Sequence, residues 1–356
     1  MALRTVHFAT NRMYDPLRLR FGVKPEAGEA PLWSGFAVCH PAPSPLVDGR
    51  LRSFDVARPE SPEQGLAETL ADWIGAAAND ELPLLFVHGF NFLFEDALVR
   101  AADVAAWLER GEGAPRIRPL LFSWPSNGLG TLAAYHDDRA DAAGAAPSLA
   151  RLLREAAKQR AKQNVKEERR PVLLAHSMGV FALRCAVQAL GPEPPRGLFR
   201  HAFVMAGDDR TDLFAEPGAS DSAAGLRPLA EMADGVTVGF NRTDGVVWLV
   251  SGTIHQEERL GAAGPKPREQ LPKNVAAVDY SMAAAKPPPW VEQTVPNGEA
   301  EMNWQAHQYY RNNAAVRADM LAAIAAGGAQ VAGRRKGKSD PAAGVREDPA
   351  CWYPKA

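Results

Sequence analysis

Cysteine is scarce in this chain, and the three it has, Cys39, Cys185 and Cys351, lie far apart with no CxxC pair. An odd, scattered set provides neither a disulfide framework nor zinc-ligand spacing, and it fits a reducing compartment. An excess of charge of one sign is also missing. Against 40 Lys and Arg stand 42 Asp and Glu, a formal net charge of −2, so the chain carries no electrostatic footprint for nucleic acid or anionic lipid. No apolar run approaches the roughly 18 residues that cross a bilayer, so stable membrane insertion is not expected. The opening MALRTVHFATNRMYDP lacks the apolar core of a signal peptide, which makes a cytoplasmic protein the expectation. No internal repeat is visible.

What is present is ordinary material for a core: 46% hydrophobic and 23% charged residues in a chain of 356. Short β-branched or apolar runs alternate with segments of helical period. Strands are expected at Thr5–Thr10, Leu32–Cys39, Arg50–Ala57, Leu82–Gly89, Arg116–Trp124, the PVLLA run from Pro171, His201–Gly207, Val236–Phe240 and Val275–Tyr280. LPLLFVHG is a continuous apolar run, as a strand buried on both faces requires. Leu66, Leu70, Trp73 and Ile74 fall at i, i+4, i+7 and i+8 of an amphipathic helix. Further helices are expected at Glu95–Arg110, around LARLLREAAKQ, after PVLLA, and at Ala314–Ala326. This alternation predicts one α/β domain over residues 1–326, a doubly wound, mostly parallel sheet flanked by helices, with residues 1–80 packed on its core. From Gly327 the composition turns to Gly, Ala, Pro and charge without a period, so residues 327–356 are expected to be a flexible tail. Its GRRKGKS is not a phosphate loop, because Ala332 stands where the first glycine is needed and no strand precedes it.

In PVLLAHSMGV, residues 171–180, an apolar strand runs straight into a helix with Ser177 at the junction. A tight strand-to-helix turn lifts a hydroxyl above the sheet, where substrate and a base both reach it, and it needs small residues on either side. Here the frame is Ala175-His176-Ser177-Met178-Gly179, alanine adding one methyl at the first position. The alternative is that Ser177 merely caps the helix. A cap needs neither the small-residue frame nor the long apolar strand, so the nucleophile is the preferred reading.

A serine hydroxyl needs a base, and the base an orienting acid. Of eight histidines, those after Ser177 compete, because the order on this topology is serine, acid, histidine. His201 opens a strand and belongs at its far end. His307, in NWQAHQYYRNN, follows the last strand and precedes the final helix, where the base is expected; His255 is the runner-up. For the acid, Asp244 sits in the turn GFNRTDG just past a strand, with Asp208, beside Asp209 in VMAGDDRTD, as runner-up. The backbone N–H groups of Phe90, after HG in FVHGFN, and of Met178 are the expected oxyanion donors. His88 is read as a structural histidine of that loop and His176 as part of the turn.

With HGFN, FSWPS, AHSMG, the aspartate turn and a late histidine in this order, the chain resembles an α/β-hydrolase. In particular it is similar to the bacterial family known as domain of unknown function 900, within the esterase/lipase superfamily. The similarity runs from HFATNR (His7–Arg12) through FVHGFNFLFEDAL, FSWPSNG, YHDDRADA, LLAHSMG, VTVGFNRTDGVVWLVS and ERLG to HQYY (His307–Tyr310). It implies the α/β-hydrolase fold and Ser177, Asp244 and His307 as the triad. The expectation is therefore a serine hydrolase acting through an acyl-enzyme, carboxylesterase-like, on a small-molecule acyl ester without a cofactor. Rival readings are a lipase, thioesterase, amidase or polyester hydrolase on the same triad, or a silent hydrolase-fold binding module. The Pro-rich residues 283–304 are a candidate lid. His136, Asp137, Asp138 and Asp141 are read as a solvated acidic face rather than a metal site, and KQRAKQNVKEERR as an exposed helix end.

Overall fold

A computed structural model describes the chain except for residues 1, 45–47, 76–79, 111–112, 217, 219–224, 285–305, 329, 341–344 and 355–356. The Pro-rich lid expectation at 283–304 thus falls, beyond Ala284, outside the described residues.

The strands in chain order are β1 (Arg4–Thr10), β2 (Arg12–Asp15), β3 (Arg20–Pro25), β4 (Trp33–His40), β5 (Arg50–Val56), β6 (Glu81–Val87), β7 (Arg116–Ser123), β8 (Val172–His176), β9 (Phe199–Met205), β10 (Ala233–Phe240) and β11 (Val275–Asp279). After them come β12 (Arg334–Lys336), β13 (Ser339–Asp340), β14 (Val345–Arg346) and β15 (Trp352–Pro354). The longer helices are α1 (Pro62–Gly75), α2 (Phe94–Leu108), α3 (Leu132–Gly144), α4 (Ala146–Gln163) and α5 (Met178–Ala189). Short ones follow: α6 (Leu229–Met232), α7 (Gly245–Val250), α8 (Leu260–Ala263), α9 (Ser281–Ala284) and α10 (Tyr309–Asn312), before the longer α11 (Ala314–Ala326).

The main sheet has the order β12-β15-β11-β10-β9-β8-β6-β7-β1-β4-β5. From β1 to β15 neighbouring strands run parallel; β4 and β5 add antiparallel strands at one edge and β12 at the other. This is the large, mostly parallel, helix-flanked sheet that the alternation of apolar runs predicts. Alternate residues of each central strand feed opposite layers. Leu85, Val87, Leu173, Ala175 and Val204 pack with Leu70 and Trp73 of α1, Leu149 and Leu153 of α4, and Val180 and Leu183 of α5. Leu84, Phe86, Val172, Leu174 and Phe203 pack with Phe94 and Leu98 of α2 and Val316 and Met320 of α11. Apolar on both faces, these strands read as unbroken runs rather than alternating ones.

β6 pairs with β7 on one side and β8 on the other, although β7 precedes β8 in the chain. The direction of winding therefore reverses between β6 and β8. In an open parallel sheet the crevice at the carboxyl ends of such a pair is where ligands bind.

The expected tail is corrected by the structure. Gly327 does end α11, in the left-handed region at φ 59°, where an added Cβ would lie 2.0 Å from the Arg200 guanidinium. Beyond it the chain returns to the sheet: β15 pairs with β11, covering an edge that would otherwise expose unpaired backbone groups. Cys351 and Tyr353 are buried against Phe240 and Ala277. Arg334 is buried with two bonds of 2.7 Å to the Asp319 carboxylate and one of 2.9 Å to Thr237 Oγ1. Strands of three residues with one buried arginine leave no periodic apolar trace, which is why composition alone reads this segment as a tail. Truncating Arg334 leaves a buried carboxylate without its cation, so Arg334→Ala is expected to cost about 3–5 kcal/mol in urea unfolding. A loss under about 1 kcal/mol, the size of an exposed pair, would mean the segment does not dock.

Candidate active site

Ser177 lies between the end of β8 and the start of α5 at φ 56°, ψ −126°, a conformation that L-residues rarely adopt. Its side chain makes no cap hydrogen bond to α5, which removes the helix-cap reading. The turn closes because neighbouring residues have no side chain to obstruct it. A Cβ on Gly179 would stand 2.4 Å from His88 O and 2.5 Å from Val87 O; one on Gly89 would stand 2.9 Å from Ser177 Cβ. The backbone of the serine is tied on both sides. Its N–H donates to Met205 O (3.0 Å), and its carbonyl accepts from Val180 N (3.0 Å) and Asp208 N (3.1 Å).

Met178 is the first residue of α5, so its N–H belongs to those a helix leaves without an internal acceptor. The loop after β6 is pinned around Phe90. Asn91 N donates to Asp138 Oδ2 (3.4 Å) and Phe92 N to Ser126 Oγ (2.9 Å), while the Phe90 N–H has no protein acceptor among the described residues. His88 donates from Nδ1 to Gly89 O (2.8 Å) and stacks on Trp124 at 4.9 Å, the structural role expected of it. Buried Arg12 holds the same loop from behind, donating to Phe92 O, Ser126 O and Ser123 Oγ at 2.9–3.0 Å. Burial lowers its pKa to about 10, which leaves it charged near neutrality.

Asp244 and His307 meet. His307 Nδ1 donates to Asp244 Oδ2 at 2.8 Å, and both side chains are buried. The other oxygen, Asp244 Oδ1, accepts from Val247 N (3.1 Å) in the first turn of α7. Each residue around His307 is fastened to a different part of the core. Asn241 Nδ2 holds Ala306 O (3.0 Å), His176 Nε2 donates to His307 O (3.2 Å), Arg100 holds Gln308 Oε1 (2.8 Å), and the Tyr309 hydroxyl accepts from Ala206 N (3.0 Å). The ring of His307 lies 4.6 Å from that of His176, the residue before the serine. Ser177 follows β8, Asp244 follows β10 and His307 comes after β11, so all three belong to the carboxyl-end side of the parallel sheet.

The runner-up residues form a separate cluster. Tyr135 donates to Asp208 Oδ2 (2.6 Å) and receives a hydrogen bond from His255 Nε2 (2.8 Å). Burial, with Arg259 and Arg139 nearby, brings the His255 pKa down to about 4. Asp209 is taken by Arg184 at 2.6 Å. His201 lies at the opposite end of β9, bonded to Thr237 Oγ1 (2.8 Å). The acidic face on α3 is not simply solvated: Asp138 is fully buried and accepts from Ser126, Asn127 and Asn91. Its role as anchor of the Phe90 loop, like that of Tyr135, has no signature in spacing. Only the clustering of polar residues on a helix marks the segment. Among the described residues no group of His, Cys, Asp and Glu is placed to hold a metal ion.

Sheet order, the strained serine turn and the coupled aspartate and histidine are together the layout of an α/β hydrolase. The family described as alpha/beta hydrolase of unknown function (DUF900) matches residues 64–285, well over half of the chain, and the chain belongs to it. No curated protein and no solved structure matches the chain. No described helix is long and apolar enough to cross a membrane.

The buried histidines set a pH dependence. Burial drives the pKa of His88 down to about 3 and those of His176 and His201 well below the usual imidazole range. Each binds a proton in the unfolded chain from about pH 6.5 downward but not in the folded one, so stability falls on acidification. Between pH 7.5 and 5.5 the three together contribute a loss of a few kcal/mol, on the order of one for each imidazole kept neutral. Asp141, raised to about 6 by burial and by Asp138 and Asp137, acts in the opposite sense and offsets part of it. Urea unfolding at the two pH values is expected to show lower stability at pH 5.5. Equal or higher stability there would mean these imidazoles are not held neutral.

Proposed function

We propose that this protein is a serine hydrolase that cleaves acyl esters through an acyl-enzyme intermediate, carboxylesterase-like, with Ser177 as nucleophile, His307 as base and Asp244 as acid. The observation that carries the proposal is the buried 2.8 Å bond from His307 Nδ1 to Asp244 Oδ2. A carboxylate is only an acceptor, so the neutral imidazole keeps its proton on Nδ1 and its Nε2 is unprotonated. That is the tautomer a general base needs, and the ion pair that forms when it accepts a proton is stabilised by the same carboxylate.

The steps follow from charge and geometry. Ser177 Oγ attacks the ester carbonyl while His307 Nε2 takes its proton. The carbonyl oxygen, now an oxyanion, is held by the N–H groups of Met178 and Phe90, with the amino end of α5 adding a favourable dipole. His307 returns the proton to the leaving alkoxide, and the C–O bond of the ester breaks. Water, deprotonated by the same imidazole, then cleaves the acyl-enzyme and regenerates the serine. Two donors fixed before reaction save reorganisation when charge develops, and losing one such donor costs about 10²–10³ in turnover.

A fluorophosphonate probe is expected to label the wild type and not Ser177→Ala, and nitrophenyl-ester turnover is expected to fall by up to about 10⁶ in that variant. Unchanged turnover would remove Ser177 from the mechanism. Asp244→Asn keeps the shape but reverses the donor, so kcat should drop by about 10⁴. If Asp208→Asn costs as much or more, the acid is Asp208 instead.

A further inference from the structure

The proposed triad uses neither Asp208, Tyr135 nor His255, yet these three form a hydrogen-bonded chain beside it, with Tyr135 and Asp208 buried and His255 half-buried. His255 Nε2–H donates to the Tyr135 oxygen (2.8 Å), and the Tyr135 O–H donates to Asp208 Oδ2 (2.6 Å). Arg139, one turn along α3 from Tyr135, donates to Asp208 O (3.3 Å) and lies 3.7 Å from its carboxylate; Arg259 Nε lies 3.5 Å from the other carboxylate oxygen. Two members of this chain touch different parts of the elbow region. The Asp208 backbone N–H holds the Ser177 carbonyl at 3.1 Å. The Tyr135 ring packs edge-on against Phe90 at 5.5 Å.

We infer that Tyr135 and Asp208 are positioning residues that brace the Phe90 loop after β6 against the Ser177 turn after β8. The inference rests on the proposed oxyanion donors, the N–H groups of Phe90 and Met178, which come from these two separate strands. The ladder between β6 and β8 ends at Val87 and Ala175, short of both donors. Beyond it the Tyr135–Asp208 bond braces the two segments, because one partner leans on the first loop and the other is tied to the second. The carboxylate lies in the field of two arginines, neither of which makes a hydrogen bond to it, and the hydroxyl is directed by the histidine behind it, so the Tyr135 O–H points to Asp208. Neither residue touches the reacting atoms in this account.

Tyr135→Phe keeps the ring on Phe90 and removes the hydroxyl, with its bond to Asp208 and those it accepts from His255 and Arg139; Asp208→Asn is the second variant, and it leaves the last two in place. In both, kcat for a nitrophenyl ester is expected to fall about 10- to 100-fold with KM within about twofold, the size of effect that misplacement by an ångström produces. Labelling by the fluorophosphonate should slow by the same factor. Because the two residues act as one brace, the double variant should be no slower than the slower single one. A purely structural role would lower the unfolding midpoint without this split between kcat and KM. Wild-type kcat in Tyr135→Phe, a loss confined to KM, or multiplicative losses in the double variant would overturn the inference. If Ser177→Ala is inactive while Tyr135→Phe retains full kcat, the strut fails and the triad stands. Turnover retained by Ser177→Ala removes the triad, and the strut with it.

Discussion

Ser177 holds a backbone conformation that costs on the order of 1–3 kcal/mol, and the surrounding chain is arranged so that it has no alternative. Its N–H and carbonyl are bonded to Met205, Val180 and Asp208, while Gly89 and Gly179 allow the β6 loop to approach within a distance that any Cβ would prevent. A relaxed turn would lower the hydroxyl toward the sheet and draw the first N–H of α5 away from it. In the proposed mechanism this strain is what would bring the side-chain oxygen and the first N–H of α5 to the same side. A helix cap at this position, which needs no such strain, would do neither.

The groups around that turn come from distant parts of the chain, and each is held by more than one bond. Arg12 near the amino terminus grips the carbonyls that follow β6 and β7; Asp138 on α3 takes the N–H groups of the same loops. Residues 306–309 are fastened by Asn241, His176, Arg100 and Ala206 in turn. Packing of this kind places a histidine opposite an aspartate 63 residues away without relying on either loop being stiff by itself. It also explains why burial of polar groups is so heavy here. His88, His176 and Arg12 all lose hydration, and each recovers hydrogen bonds to carbonyls or hydroxyls that fix the site.

Much of this was legible in the residues. Unbroken apolar runs such as LPLLFVHG report a strand covered on both faces, and the register of AHSMG between such a run and a helix reports the turn. The aspartate after β10 and the histidine before the last helix follow from chain order on a parallel sheet. Two things were not legible. The closing strands near Cys351 are too short to show a period, and they dock through an edge pairing, two buried side chains and the Arg334–Asp319 ion pair, none of which spacing reveals. The polar cluster YHDDRADA reads as a solvated helix face because spacing cannot reveal that Asp138 and Tyr135 turn inward to loops from other strands. Periodicity reports which face of an element is apolar; it is silent on which polar groups find partners across the fold.

The central claim is that the elbow oxygen, the imidazole of His307 and the two backbone donors converge on one reacting carbon. A crystal structure of the adduct formed with an alkyl phosphonate tests this most directly. The account predicts phosphorus bonded to Ser177 Oγ, one phosphoryl oxygen within about 2.7–3.1 Å of both the Phe90 and Met178 nitrogens, and His307 Nε2 facing the adduct. Phosphorus on another residue, or a phosphoryl oxygen turned to solvent away from both nitrogens, would contradict it.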